Sequence, residues 1–155
     1  MTYIATGAQI VGEVTFGKDC SIWYNAVIRG DSGSISFGDR VNIQDNVTVH
    51  TGKGYTVEVG DDVTIGHNAI IHGSHIGNGT LVGMGAILMN GSSVGNHCIV
   101  AAGALLPENH HYEDGTLIMG MPAKVVRKLT EEEMAENLKS AEMYIGLARK
   151  ELQVM

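Results

Sequence analysis

Three histidines, His50, His67 and His72, stand in the middle of this 155-residue chain. A neutral imidazole gives a divalent ion one ring nitrogen, and three imidazoles with an open fourth position are what a catalytic zinc needs. These three are distant in sequence, so the fold has to gather them, and a chain that coils at a regular repeat does that.

Such a repeat is present. An aliphatic or aromatic residue recurs every six positions at Ile4, Ile10, Phe16, Ile22 and Ile28, then at Ile35, Val41 and Val47. The beat resumes at Val59, Ile65 and Ile71 and continues through Ile76, Val82, Leu88, Val94 and Val100 to Leu105. Four residues after these marks the side chain is small or β-branched, as at Ala26, Val63, Ala69, Ala86 and Ala104, so two periodic sets point inward. Cys20 and Cys98 fall in this second set and read as core filler rather than a redox pair. Glycine often follows the mark, as at Gly60, Gly66 and Gly77, which suits a turn needing a positive φ. A helix is excluded over this stretch because its apolar stripe would recur at three and four residues. Short strands stacked coil on coil remain: an all-β solenoid.

Two slips interrupt the beat, between Ile28 and Ile35 and between Ile71 and Ile76. Lys53 falls on an inward mark, which predicts that Thr51–Tyr55 bulges out as a loop. Beyond the beat, residues 107–115 read as a loop and Leu117–Met119 as a short strand, before Gly120-Met-Pro-Ala-Lys124. Thr130-Glu-Glu-Glu133 is a capping box opening an amphipathic helix whose inward set is Met134, Leu138, Ala141, Ile145, Ala148 and Leu152. The chain therefore reads as one domain, a solenoid over 1–129 and a helix packed along it over 130–155.

Composition sets limits on partners. The formal charge is −7 with no basic run, so nucleic acid and anionic membrane are poor partners. No segment approaches the roughly 20 apolar residues of a membrane span, and the opening Met-Thr-Tyr-Ile does not read as a signal peptide, which predicts a cytoplasmic protein.

Counting three hexads as one coil, with coils stacked at roughly 4.8 Å, puts His50 and His72 near one corner on adjacent coils. His67 belongs to the preceding face, and its side chain diverges around the prism edge. A third ligand to the same ion then has to come from a neighbouring subunit, and a ring of three is the simplest closure.

The segments Asn25-Ala-Val-Ile-Arg-Gly-Asp31, Asn42-Ile-Gln-Asp-Asn46, Val49-His-Thr51 and Ile65-Gly-His-Asn-Ala-Ile-Ile-His-Gly73, with Leu81-Val-Gly-Met-Gly85 and Gly120-Met-Pro-Ala-Lys124, closely resemble the γ-class carbonic anhydrase-like proteins. The resemblance implies a left-handed parallel β-helix, trimeric, with Zn2+ or another divalent ion (Fe2+, Co2+, Ni2+) at each interface. It implies that the ligands His50 and His72 come from one chain and His67 from the next. Arg29 and Asp31 match a pair supporting the interface and the site, Gln44 a residue orienting the metal's water, and Asp45 part of an interface network with the arginine. The implied activity is reversible hydration of CO2 to bicarbonate. Ser32 and the short Gly52-Lys-Gly-Tyr55 loop depart from the acids that move protons in active members, leaving His75 or Tyr55 as shuttles. Tyr144 matches a tyrosine lining the site in some relatives.

Each site residue also has a structural reading: Arg29 and Asp31 as an ion pair, Gln44 and Asp45 as corner residues. Two other functions fit the repeat. One is an acyltransferase or thioesterase acting on an acyl-CoA, which shares the Gly-x-Pro-Ala-Lys ending. The other is a non-catalytic trimeric scaffold fastened by its metal.

Overall fold

A computed structural model describes residues 2–154. Short parallel strands stack in register into faces of a coil. One face runs Tyr3–Ile4, Ser21–Ile22, Asn42–Ile43, Thr64–Ile65, Leu81–Val82, Ile99–Val100 and Thr116–Gly120, each hydrogen-bonded to the next. Two further faces are joined through one long strand, Val27–Phe37. Its first half pairs with Thr48–His50 and its second with Val57–Val59. The seven-residue slip between Ile28 and Ile35 is where this strand passes from one face to the next. The protein is thus a parallel β-solenoid with a single terminal helix.

Of the expected inward set through the middle of the chain, Ile22, Ile28, Val41, Val47, Ile65, Ile71, Val82, Leu88 and Val100 are buried. Register, however, aligns Ile43 with Ile22 and Ile65, and Val49 with Ile28 and Ile71, so Val41 and Val47 belong to the second inward set rather than to the beat. The ends differ. Ile4 is 49% exposed, because Tyr3 and Ala5 turn inward to pack on Trp23 and Ala148 instead. The beat does not end at Leu105 either. Leu106 is the buried residue, and Tyr112 and Ile118 carry the six-residue spacing on. The stretch read as a loop is therefore another coil, with a strand at His111–Tyr112, held where the Tyr112 hydroxyl donates to Ala123 O at 3.0 Å. The Leu117–Met119 strand is longer than expected and is followed by an antiparallel partner, Ala123–Lys128.

Positive φ is not where the repeat suggested. It falls three residues after the buried mark, at Asn25, Asn46, Asp62, Asn68, Gly79, Gly85 and Gly91. Asn and Asp tolerate this region because their side chains bond locally. Gly60 and Gly66 are required by close approach: a Cβ on Gly60 would lie 2.2 Å from Asn78 Oδ1, and one on Gly66 2.9 Å from the Met84 amide.

The predicted bulge is present, with Lys53 and Gly54 exposed and the chain returning to the core at Val57. Cys20 and Cys98 are free and buried, and burial pushes the Cys20 thiol up.

The terminal helix, Glu131–Val154, opens on the capping box: Thr130 Oγ1 accepts from the Glu133 amide at 3.2 Å and Glu133 accepts from the Thr130 amide at 2.9 Å. Arg127 adds two bonds to the same carboxylate, at 2.7 and 2.8 Å. Chiefly through that guanidinium, the Glu133 carboxyl falls from its ordinary 4.5 to about 2. A depressed native pKa gives stability that is complete above the ordinary value and lost as pH falls toward the native one. Glu133→Gln is expected to flatten the loss of helix circular dichroism between pH 5 and pH 2. Thr130→Ala is expected to cost about 1 kcal/mol in urea unfolding.

The helix packs on the ends of the first coils, along Tyr3–Ile4, Ser21–Ile22, Asn42–Ile43 and Thr64–Ile65. Ala141 and Ala148 are buried, but Leu138 is 41% and Leu152 40% exposed, contrary to the amphipathic reading. Asn137 takes the inward place instead, donating to Gly79 O at 3.3 Å and Cys98 O at 3.1 Å, which turns Leu138 to the rim. Among the described residues no helix is long and apolar enough to cross a membrane.

Candidate functional site

In a strand, side chains alternate between faces, so burying Ile28, Val49 and Ile71 sends Arg29, His50 and His72 outward. Register aligns these three in one row: Arg29 beside His50, and His50 beside His72. The two rings meet with His50 Nδ1 3.1 Å from His72 Nε2. Their other nitrogens are also engaged. His50 Nε2 lies 2.9 Å from Asp31 Oδ1, and His72 Nδ1 lies 2.8 Å from Asn90 Oδ1. Asp31 in turn takes a bond from Arg29 at 2.5 Å and one from Ser32 at 3.3 Å. The Arg29 guanidinium first, and then the His50 contact, hold the Asp31 carboxyl down at about 2.

A carboxylate and an amide oxygen only accept, so they fix both tautomers: His50 carries its hydrogen on Nε2, and His72 on Nδ1. Two lone pairs are thereby aimed at each other. Lone pairs at that separation repel unless a cation stands between them. Nitrogens each 2.0–2.1 Å from a tetrahedral zinc lie roughly 3.3 Å apart, close to the spacing found. The donor set therefore fits a metal half-site, with outer partners of the kind that orient ligating imidazoles.

His67 is held in the same way on the neighbouring face. It lies past Ile65, where its Nδ1 meets Asp45 Oδ2 at 2.8 Å and its backbone amide donates to Gln44 Oε1 at 3.2 Å. Gln44 is itself fixed by donating to Asn42 Oδ1 at 3.1 Å, and Asn42 by donating to Thr64 Oγ1 at 2.8 Å. Asp45 again forces the hydrogen onto Nδ1, leaving Nε2 as the acceptor nitrogen. Among the described residues of one chain, no three His, Cys, Asp or Glu side chains come together as metal ligands. His67 does not join His50 and His72 within the chain.

The remaining candidates are spread around this row. Within the chain the Asp45 partner is His67, and Arg29 pairs with Asp31. His75 stands past the next corner with Nε2 3.0 Å from Thr56 Oγ1, and Tyr55 lies in the bulging loop. Tyr144 packs edge-on against Trp23 and, with Gln44, His67 and Met84, lines a cleft of ≈ 450 Å³ between the helix and the first face. Asn90 was missed by sequence reasoning. Its signal was the coil period: it stands 18 residues after His72.

The repeat that builds this site defines the hexapeptide-repeat class, and residues 73–107 match the family described as bacterial transferase hexapeptide (six repeats). A probable carbonic anhydrase of Methanocaldococcus jannaschii is 52% identical over 145 residues, covering 94% of this chain and 91% of that one. The mitochondrial gamma carbonic anhydrase 2 of Arabidopsis thaliana is 44% identical over 153 residues, of which this chain spans 55% of the length. Among solved structures, a putative acetyltransferase from Bacillus cereus superposes with a TM-score of 0.97 at 37% identity, covering 99% of this chain and 90% of that one. By these likenesses the chain belongs to the γ-carbonic anhydrase-like family of hexapeptide-repeat proteins.

Proposed function

We propose that this chain is a metal-dependent carbonic anhydrase that works as a homotrimer, each site taking His50 and His72 from one chain and His67 from the next. The observation that carries the reading is the pair of imidazole lone pairs converging at 3.1 Å, each ring held from behind by a hydrogen-bond acceptor. A second support is the outward row next to the half-site: Val27 and Ile70, 37% and 38% exposed, flank Thr48 along one face, and Ile87 and Leu105 continue the row. A row apolar at all but one of these places, beside two-thirds of a metal site, fits a contact between copies.

A divalent ion there supplies a nucleophile at neutral pH, by lowering the pKa of water from 15.7 to about 7. Imidazole suits zinc, iron, cobalt and nickel alike. The chain's own residues do the rest. Asp31, Asn90 and Asp45 hold the ring hydrogens away from the metal, and Gln44 anchors the peptide that carries His67. The Arg29–Asp31 pair holds His50 in place. Protons leave past His75 or Tyr55, the titratable groups that border the corner after His72.

Untagged protein is expected to contain about one ion per chain in a trimer and to hydrate CO2 above buffer in stopped flow, under reducing conditions. Metal-free protein with no hydration overturns the reading. The likeness to the putative acetyltransferase of Bacillus cereus favours acyl transfer as the second reading, so the same preparation is offered acetyl-CoA with a thiol-release readout. A trimer that holds metal but turns over neither substrate points to a fastening metal.

A further inference from the structure

Along one edge of the coil, Asp and Asn side chains reach back one coil to a backbone amide. Asp39 accepts from the Lys18 amide at 2.7 Å, and Asp61, Asn78, Asn96 and Asp114 repeat the contact at 2.8 Å. The reach matches the spacing of stacked strands. Asn90 makes the same reach on another edge, but its oxygen meets the ring nitrogen of His72 at 2.8 Å instead of a backbone amide.

That diversion has a chemical consequence. An amide oxygen only accepts, so the hydrogen of His72 sits on Nδ1 and the lone pair on Nε2, the nitrogen that faces His50. With no acceptor at that place, the ring is free to carry its hydrogen on Nε2, and the half-site closes. His50 and His67 are backed in the same way, each by a carboxylate, Asp31 and Asp45. Asn90 does the same for the third ring through an amide oxygen.

The geometry points to Asn90 as the positioning residue that sets the tautomer of His72 and directs its lone pair. This rests on the proposal that His50 and His72 hold a metal, but its first test needs no metal. In chelator-treated protein labelled with 15N in its imidazoles, at about pH 8.5 and so above the usual imidazole range, long-range proton–nitrogen spectra report which nitrogen carries hydrogen. His72→Gln identifies the signals.

His72 is expected to be protonated on Nδ1 in the wild type, and on Nε2 in Asn90→Ala. Zinc affinity, measured by competition with a chelator, is expected to fall roughly 10–100-fold in Asn90→Ala. Asn90→Asp keeps an acceptor and is expected to keep both the tautomer and the affinity. Asn109→Ala, one coil along the same edge, alters a turn residue with no contact to His72 and is expected to change neither. A wild-type His72 protonated on Nε2 overturns the assignment, and needs no variant to fold. So does an Asn90→Ala protein with unchanged tautomer and affinity. Wild-type protein that binds no zinc, yet shows the Nδ1 hydrogen that Asn90→Ala loses, sinks the metal reading and leaves the hold of Asn90 on His72 intact.

Discussion

Two variants that each fail to hold metal, His67→Ala and His50→Ala, are expected to recover part of it when their chains are mixed in one trimer. Within the chain His67 stands apart from the His50–His72 pair, and no third ligand joins that pair among the described residues. If the sites are shared around a ring, a site between a His67→Ala chain and a His50→Ala chain draws all its histidines from intact positions. Random assembly then leaves about one site in four complete. Metal content of co-expressed protein is the first readout, and stopped-flow hydration should return in the same proportion. A mixed protein that stays metal-free overturns the shared site, because a site built within one chain has no route to complementation. Full metal in either variant alone removes that histidine from the ligand set.

Ile65→Ala is the substitution expected to cost the most stability for the fewest atoms. The side chain is fully buried, and its strand is paired on both sides, with Ile43 and Val82 as neighbours. Large-to-small changes at such sites cost about 2–5 kcal/mol, because coils stacked in register cannot close over a void. In a domain of this size that corresponds to a fall in Tm of roughly 6–12 °C for a loss near 3 kcal/mol. Ile70→Ala makes the informative comparison, because Ile70 is exposed and lies in the apolar row beside the half-site. Its cost in an isolated chain is expected to be within about 0.5 kcal/mol. In a trimer built on that row, its effect grows as protein concentration falls toward dissociation. An Ile70 variant indifferent to concentration counts against the row as an interface.

The middle of the fold was legible because the solenoid offers few choices: a residue either points in or out, and six positions later the choice recurs. Counting hexads places His50 and His72 on adjacent coils, and the rings do meet. The ends were misread where the local rule gives way to tertiary packing. Ile4 looks like a core residue, but the helix covers this end and draws in Tyr3, Ala5 and Trp23. Tyr112 does not look like part of an aliphatic beat, yet its ring fills an inward place and its hydroxyl finds a carbonyl. Asn137 sits where periodicity expected none of the inward set, because two corner carbonyls, of Gly79 and Cys98, take its amide hydrogens. Asn90, though the coil period marks its place, was missed for a different reason. Corner asparagines are common in this chain, and only side-chain direction separates one that bonds an imidazole from those that brace the backbone.

The bulge at residues 52–56 carries a consequence for how proteins built this way can diversify. The chain leaves the stack after Thr51 and rejoins it with Val57 beside Ile35, while Val49 on the other side keeps its place beside Ile71. Whatever length the excursion has, the coils before and after it stay in phase. A corner therefore works as an insertion point whose contents can be rewritten without moving a histidine. Here it holds Gly52, Lys53, Gly54 and Tyr55, with Gly52 beside the His72 ring and Tyr55 beside Gly73. A longer or more acidic segment at the same corner would change what overhangs the His50–His72 pair while leaving both rings untouched, which separates the inheritance of a site from its tuning.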